Sequence, residues 1–356
     1  MLARGAAAAL TANGGGGRLR ARHDGPVGAD EVTGRRITSH GLFADIRGDA
    51  RAPALLFLHG GPGQGCHDFM AIQGDLLAAS VRLIGIDQRG VDRSAPLLAL
   101  GDGEAGGAGL TIAGLVADCE AVREELGIER WAVLGQSFGG GLALRYAAAH
   151  PAVVTAVAFE NPVWDLAASS RAALARVALM LTERGRQDAA LAALAAAGRE
   201  HQARPLRAAY VAALEALAED REVFFVPSPA TRARLAEIRA GHQRPDGAAG
   251  DEGSLRHHLA ITADEGAYEP LLGLLPRVAA PGLLITGGYD PLTSAGQRDA
   301  FRRASARNRL LEVAGAGHFV HADDPLTYAG AVSEFVRACA AGLSGTGTGA
   351  VPATGS

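Results

Sequence analysis

Short apolar runs bounded by glycine-rich turns alternate with amphipathic stretches along most of the chain. Residues 35–39 and 42–47 predict an opening hairpin. Ala54–Leu58 is a continuous apolar run stopped by His59-Gly60-Gly61-Pro62-Gly63, the mark of a strand buried on both faces. Residues 81–86 (stopped by Asp87), 131–134, 153–159, 283–286 and 309–313 read as further strands. Between them lie helical stretches at 111–126, with Thr111 as N-cap, at 140–149 and at 295–304. The last helix has Asp324 as N-cap and Pro325 at its first position, where a missing N–H costs nothing. Strands and helices alternating through short turns imply βαβ units, hence an α/β protein whose mostly parallel sheet carries helices on both faces.

The rhythm breaks from about Trp164 to Leu275. That stretch is rich in Ala, Leu, Arg and Glu and reads as helix throughout, with residues 223–226 as the one candidate strand. The chain thus divides into an α/β core, 33–163 and 276–342, and an inserted all-helical lid, 164–275. An insertion at strand ends would cover the crevice where such sheets bind ligands. Low-complexity runs at 1–32 and 343–356 read as disordered tails.

Composition removes several chemistries. All 34 basic residues are arginine, and no lysine occurs. Schiff-base and pyridoxal-phosphate lysines, a Walker A lysine and a Ser-x-x-Lys nucleophile are therefore excluded. The formal net charge of −4 carries no nucleic-acid footprint. Cys66, Cys119 and Cys339 are too few and too scattered for a disulfide framework or a zinc cluster, and they fit a reducing cytoplasm. No apolar run reaches the roughly 18 residues of a membrane span.

The sharpest chemical signal is Gly135-Gln136-Ser137-Phe138-Gly139, a G-x-S-x-G placed after a predicted strand and before a predicted helix. That context makes Ser137 a candidate nucleophile on a tight elbow. A serine hydroxyl needs a base to take its proton. His318, in Gly315-Ala316-Gly317-His318 after the last strand, is the candidate; His321 falls outside that turn. Asp290, in the turn after the preceding strand, is placed to orient it. The order Ser137, Asp290, His318 is that of the α/β-hydrolase fold. The oxyanion donors expected are the amides of Phe138 and of Gly61.

These motifs, together with Asp87-Gln88-Arg89-Gly90 and the following Arg93-Ser94, resemble the proline iminopeptidase (prolyl aminopeptidase) family of α/β-hydrolases over roughly residues 35–343. The resemblance implies a serine peptidase that releases an N-terminal residue from a short peptide through an acyl-enzyme, with no cofactor and no metal. Three positions depart from the family: Phe138 stands where Trp is usual, Asp92 where glycine is usual, and the lid lacks the Glu-Asn-His-Tyr-type stretch that holds the substrate amine. The nearest candidates to hold the amine instead are Glu160 and the lid residues Asp264, Glu265 and Glu269, and Trp164 is a further substrate-binding candidate. His257 and His258, beside Arg256, mark where the lid would bring positive charge to the pocket. An esterase, lactonase, amidase or thioesterase acting on a small metabolite is the alternative, and a non-catalytic ligand-binding relative is a remoter one. The partner expected is a small molecule or short peptide, with no nucleic acid and no membrane.

Overall fold

The first two strands, β1 (Gly34–Ile37) and β2 (Phe43–Arg47), form an antiparallel hairpin at one edge of an eight-stranded sheet. The computed structural model describes residues 34–96, 110–242 and 248–344. The tail expected at 1–32 lies outside them, as does nearly all of that at 343–356. The sheet runs β1-β2-β4-β3-β5-β6-β7-β8, where β3 is Ala54–Leu58, β4 Arg82–Ile86, β5 Trp131–Gln136, β6 Val154–Glu160, β7 Gly282–Gly287 and β8 Arg309–Val313. Beyond the antiparallel β1/β2 and β2/β4 pairs, every pairing is parallel.

Strand alternation feeds two cores, one per face. Leu56 and Leu58 join Ile84, Ile86, Val133, Val157, Phe159 and Leu284 on one side. Helices α2 (Ile112–Glu125), α3 (Phe138–Ala149) and α10 (Ala295–Ala304) cover that side through residues such as Val122, Leu142 and Phe301. Leu55, Phe57, Leu83, Leu134 and Ile285 face the other side, under α1 (His67–Ala78) and α12 (Pro325–Ser344). Each fully buried aliphatic of this kind contributes about 1.5–3 kcal/mol. The expected caps are present: Thr111 Oγ1 accepts from Gly114 N (3.1 Å) and Asp324 Oδ1 from Thr327 N (3.2 Å).

Helices α4 (Leu166–Glu183), α5 (Gln187–Arg199), α6 (Ala203–Glu215), α7 (Arg221–Phe225), α8 (Pro229–Ala240) and α9 (Ala248–Ala263) fill the interval between β6 and β7. Their own apolar cluster, with Leu174, Val177, Leu181, Leu206 and Phe224, also takes in Leu292 from the turn after β7. Two expectations are corrected. Residues 223–226 are not a strand: Val226 N bonds Glu222 O (2.9 Å), a helical closure, and Phe224 packs into the block's cluster, with no strand beside it among the described residues. Helix α12 runs through Ser344, two residues into the stretch expected as a tail. A short helix, α11 (Val320–Asp323), precedes it.

Candidate active site

Strand β5 delivers the chain to Ser137, whose backbone has φ +53° and ψ −118°, and α3 begins at the next residue. A left-handed non-glycine conformation costs about 1–3 kcal/mol and persists only where surroundings fix it. Here Ser137 N donates to Glu160 O (2.9 Å), and Ser137 O accepts from Gly140 N (3.0 Å) and Val163 N (3.1 Å). The flanking glycines are demanded by space. A Cβ at Gly139 would run into the carbonyl oxygen of Leu58, and one at Gly135 into that of Gly139.

The loop after β3 approaches the same point. Gly61 has φ +114°, a region side chains rarely adopt. His59, 1% exposed, fixes this loop to the turn after β4: its Nδ1 donates to Gly60 O (2.9 Å) while its Nε2 accepts from Gln88 N (3.1 Å). Burial lowers its pKa, and the pattern is that of the neutral ring. Asp87 braces the turn by accepting from Cys66 N (2.7 Å) and Arg93 Nε (2.8 Å). Arg89 forks onto Asp118 at 2.7 and 2.6 Å and so supports the loop. Asp92 takes up φ +49° at the position where glycine is usual, and His242 Nε2 lies 2.8 Å from its carboxylate.

His318 Nδ1 meets Asp290 Oδ1 at 2.7 Å, with side chains only 3% and 1% exposed. The second oxygen of Asp290 accepts from Thr293 N (2.7 Å). The turn that carries His318 is held from two sides. Its amide donates to Phe225 O (2.8 Å), from the helical block. Asn161, fully buried with φ +41°, donates through Nδ2 to Gly317 O (3.0 Å) and His318 O (2.9 Å), and its Oδ1 accepts from Gly287 N (3.1 Å). One side chain thus ties the β7 turn to the histidine turn. Neither Asn161 nor Phe225 stands out in the sequence, although an Asn-Pro pair directly after a strand is a turn signal.

Ser137, His318, Gly61 and Phe138 all line one cavity of about 280 Å³ between the carboxyl ends of the strands and the helical block. Trp164 lines it too, its Nε1 donating to Gly140 O (3.4 Å). Of the other substrate-binding candidates, Glu269 lines the cavity as well, and the rest are elsewhere. Glu160 is fully buried behind the elbow: Oε1 accepts from His321 N (2.9 Å) and Oε2 from Tyr328 OH (3.1 Å), so its carboxylate is committed to α11 and α12. This also accounts for His321. Glu265 is 86% exposed and pairs with Arg204 (2.6 Å). His257 is fully buried, donates Nδ1 to Arg89 O (2.8 Å), and burial brings its pKa down to about 4. His258 Nδ1 donates to Pro62 O (3.2 Å). Among the described residues, none of these four lines the cavity: His257 and His258 are held by the carbonyls of the core loops, and α9 reaches the cavity one turn later, through Ile261 and Thr262. Among the described residues, the cations that do line it are Arg145 and Arg207, and the carboxylate is Glu269.

A family model described as alpha/beta hydrolase fold matches residues 53–325. The proline iminopeptidase of Xylella fastidiosa (strain Temecula1 / ATCC 700964) is 41% identical over 117 residues, 33% of this chain and 34% of that one. That of Xanthomonas citri is 42% identical over 109 residues, 31% and 32% of the two chains. These alignments span about a third of the length of the curated relatives. The crystal structure of the proline iminopeptidase of Mycobacterium smegmatis superposes with a TM-score of 0.63 at 22% identity, covering 87% of this chain and 99% of that one. No helix among the described residues is long and apolar enough to cross a membrane.

Proposed function

The chain belongs to the α/β-hydrolase fold family, and from that premise we propose that it is a serine hydrolase of small amide or peptide bonds, first of all an aminopeptidase of the proline iminopeptidase type. The observation that carries the reading is the convergence on one cavity of Ser137, at the head of α3, and of His318, paired with Asp290. In this reading Ser137 Oγ attacks the substrate carbonyl while His318 takes its proton. Asp290 keeps Nδ1 protonated and directs the basic Nε2 toward the serine. The developing oxyanion is stabilised by the amides of Gly61 and Phe138, the latter at the positive end of α3. His318 then protonates the leaving group, and water releases the acyl-enzyme. Residues 164–275 act as a lid over a core formed by 33–163 and 276–342.

The aminopeptidase reading is supported by the roughly 40% identity that about a third of the chain shares with the named relatives. One observation favours the alternative, an esterase, amidase, lactonase or thioesterase that needs no free amine. The carboxylate lining the cavity, Glu269, is 71% exposed and lies 3.3 Å from Arg145, a poor seat for an ammonium group. A panel of proline and alanine anilides with free amines, set against N-acylated anilides and short esters, decides between them. The aminopeptidase reading expects turnover to require the free amine. Turnover of blocked anilides and esters alone would defeat it.

A further inference from the structure

Two arginines line the cavity from opposite layers, Arg145 from α3 beneath and Arg207 from α6 in the helical block. Arg145 is 14% exposed. Its Nη2 donates to Gly266 O and lies 3.3 Å from Glu269 Oε2, but Nη1 is buried with no hydrogen-bond partner among the described residues. Nearby Asp264 is already spent: its oxygens accept from Ile112 N (2.7 Å) and Gly266 N (2.9 Å). Arg207 pairs with no carboxylate among the described residues. Its Nη2 meets His258 Nε2 (3.3 Å), and burial lowers that histidine's pKa, so the ring adds no charge of its own. The surrounding wall is mostly apolar, with Leu142, Val163, Tyr210 and Leu271.

A guanidinium kept in an apolar cavity with an unspent N–H is costly unless an acceptor completes it. A carboxylate is a group whose planar geometry matches that fork, and an apolar wall admits an anion only where a cation meets it. We infer that Arg145 and Arg207 form a carboxylate-recognition subsite, so that the substrate carries an acidic group in addition to the bond that Ser137 attacks. The inference rests on the serine hydrolase reading above and names the substrate class for that site. It is compatible with a peptide, whose C-terminal carboxylate would be the anion, and with an acidic ester or amide.

The test compares matched esters that differ in one charge, with the uncatalysed rate subtracted. In the acyl arm, 4-nitrophenyl hemiglutarate is set against 4-nitrophenyl pentanoate. In the leaving-group arm, 4-acetoxybenzoate is set against 4-acetoxybenzamide. The readout is the ratio of kcat/KM, charged over neutral, for the wild-type protein, Arg145→Met, Arg145→Lys and Arg207→Met, each checked for folding by circular dichroism. In at least one arm the wild-type ratio is expected to exceed 1. It should fall about tenfold or more in Arg145→Met, mainly through KM, with partial retention in Arg145→Lys. Arg207→Met, which breaks no carboxylate pair among the described residues, should lower the same ratio and keeps the test open if Arg145→Met does not fold. Wild-type ratios at or below 1 in both arms, or ratios unmoved by every variant, would overturn the inference while leaving the hydrolase reading standing. No turnover of any of the four esters, with no labelling of Ser137 by a fluorophosphonate, would remove the hydrolase reading and this inference with it.

Discussion

Asn161→Ala probes the joint between the acid and histidine turns. The native amide makes three buried hydrogen bonds, to Gly317 O, to His318 O and from Gly287 N, at 2.9–3.1 Å. Alanine removes all three and leaves the backbone groups without that partner. At about 1 kcal/mol net for each, the loss is about 3 kcal/mol. Alanine must also adopt φ +41°, a left-handed value for which asparagine is better suited, adding about 1 kcal/mol. The expected destabilisation is therefore roughly 4 kcal/mol, read from urea denaturation at constant m-value. Asn161→Gly loses the same bonds without the backbone strain and should cost about 1 kcal/mol less than alanine. Both variants free the His318 turn, and a displacement of about 1 Å at a catalytic group lowers turnover by about a hundredfold. A destabilisation under about 1 kcal/mol for Asn161→Ala would refute the reasoning, as would unchanged ester turnover in both variants.

Asp290→Asn leaves the volume of the site unchanged but offers His318 Nδ1 no anion, so kcat for a reactive ester should fall about 10³- to 10⁴-fold with little change in stability; steady-state kinetics check it. His257 gives a pH dependence. Burial lowers its pKa from about 6.5 toward 4, so between those values the unfolded chain binds the proton that the folded one refuses. Its contribution makes stability fall as pH drops from 6.5 to 4, by roughly 3 kcal/mol over the full interval. Denaturation at pH 6.5 and 5 should show a shallower loss in His257→Gln than in the wild-type protein; equal slopes would remove the assignment.

The sheet was legible because its central strands are buried on both faces. Runs such as Ala54–Leu58 are continuous and end in glycine-rich turns, so burial and stop signal coincide. Helix α1 was harder to see: its buried face includes Asp68, Gln73 and Gly74, which break the apolar period. Residues 223–226 read as strand by residue type, yet tertiary packing of Phe224 overrides a weak β preference. The turns bearing Ser137, Asp290 and His318 are local and glycine-marked, so their residues can be named from sequence. What lines the cavity beside them is set by convergence over long separations. Arg145 looks like any helix arginine until Gly266 and Glu269 come to meet it, and Glu160 looks available until His321 and Tyr328 claim its oxygens.

The central claim is that Ser137 is an activated nucleophile served by His318 and Asp290. A fluorophosphonate probe followed by intact-mass and peptide analysis tests it most directly. The wild-type protein should gain a single adduct on the peptide containing Ser137, with labelling abolished in Ser137→Ala and slowed about a hundredfold or more in His318→Ala. No adduct on the folded wild-type protein, or equal labelling of Ser137→Ala, would contradict it.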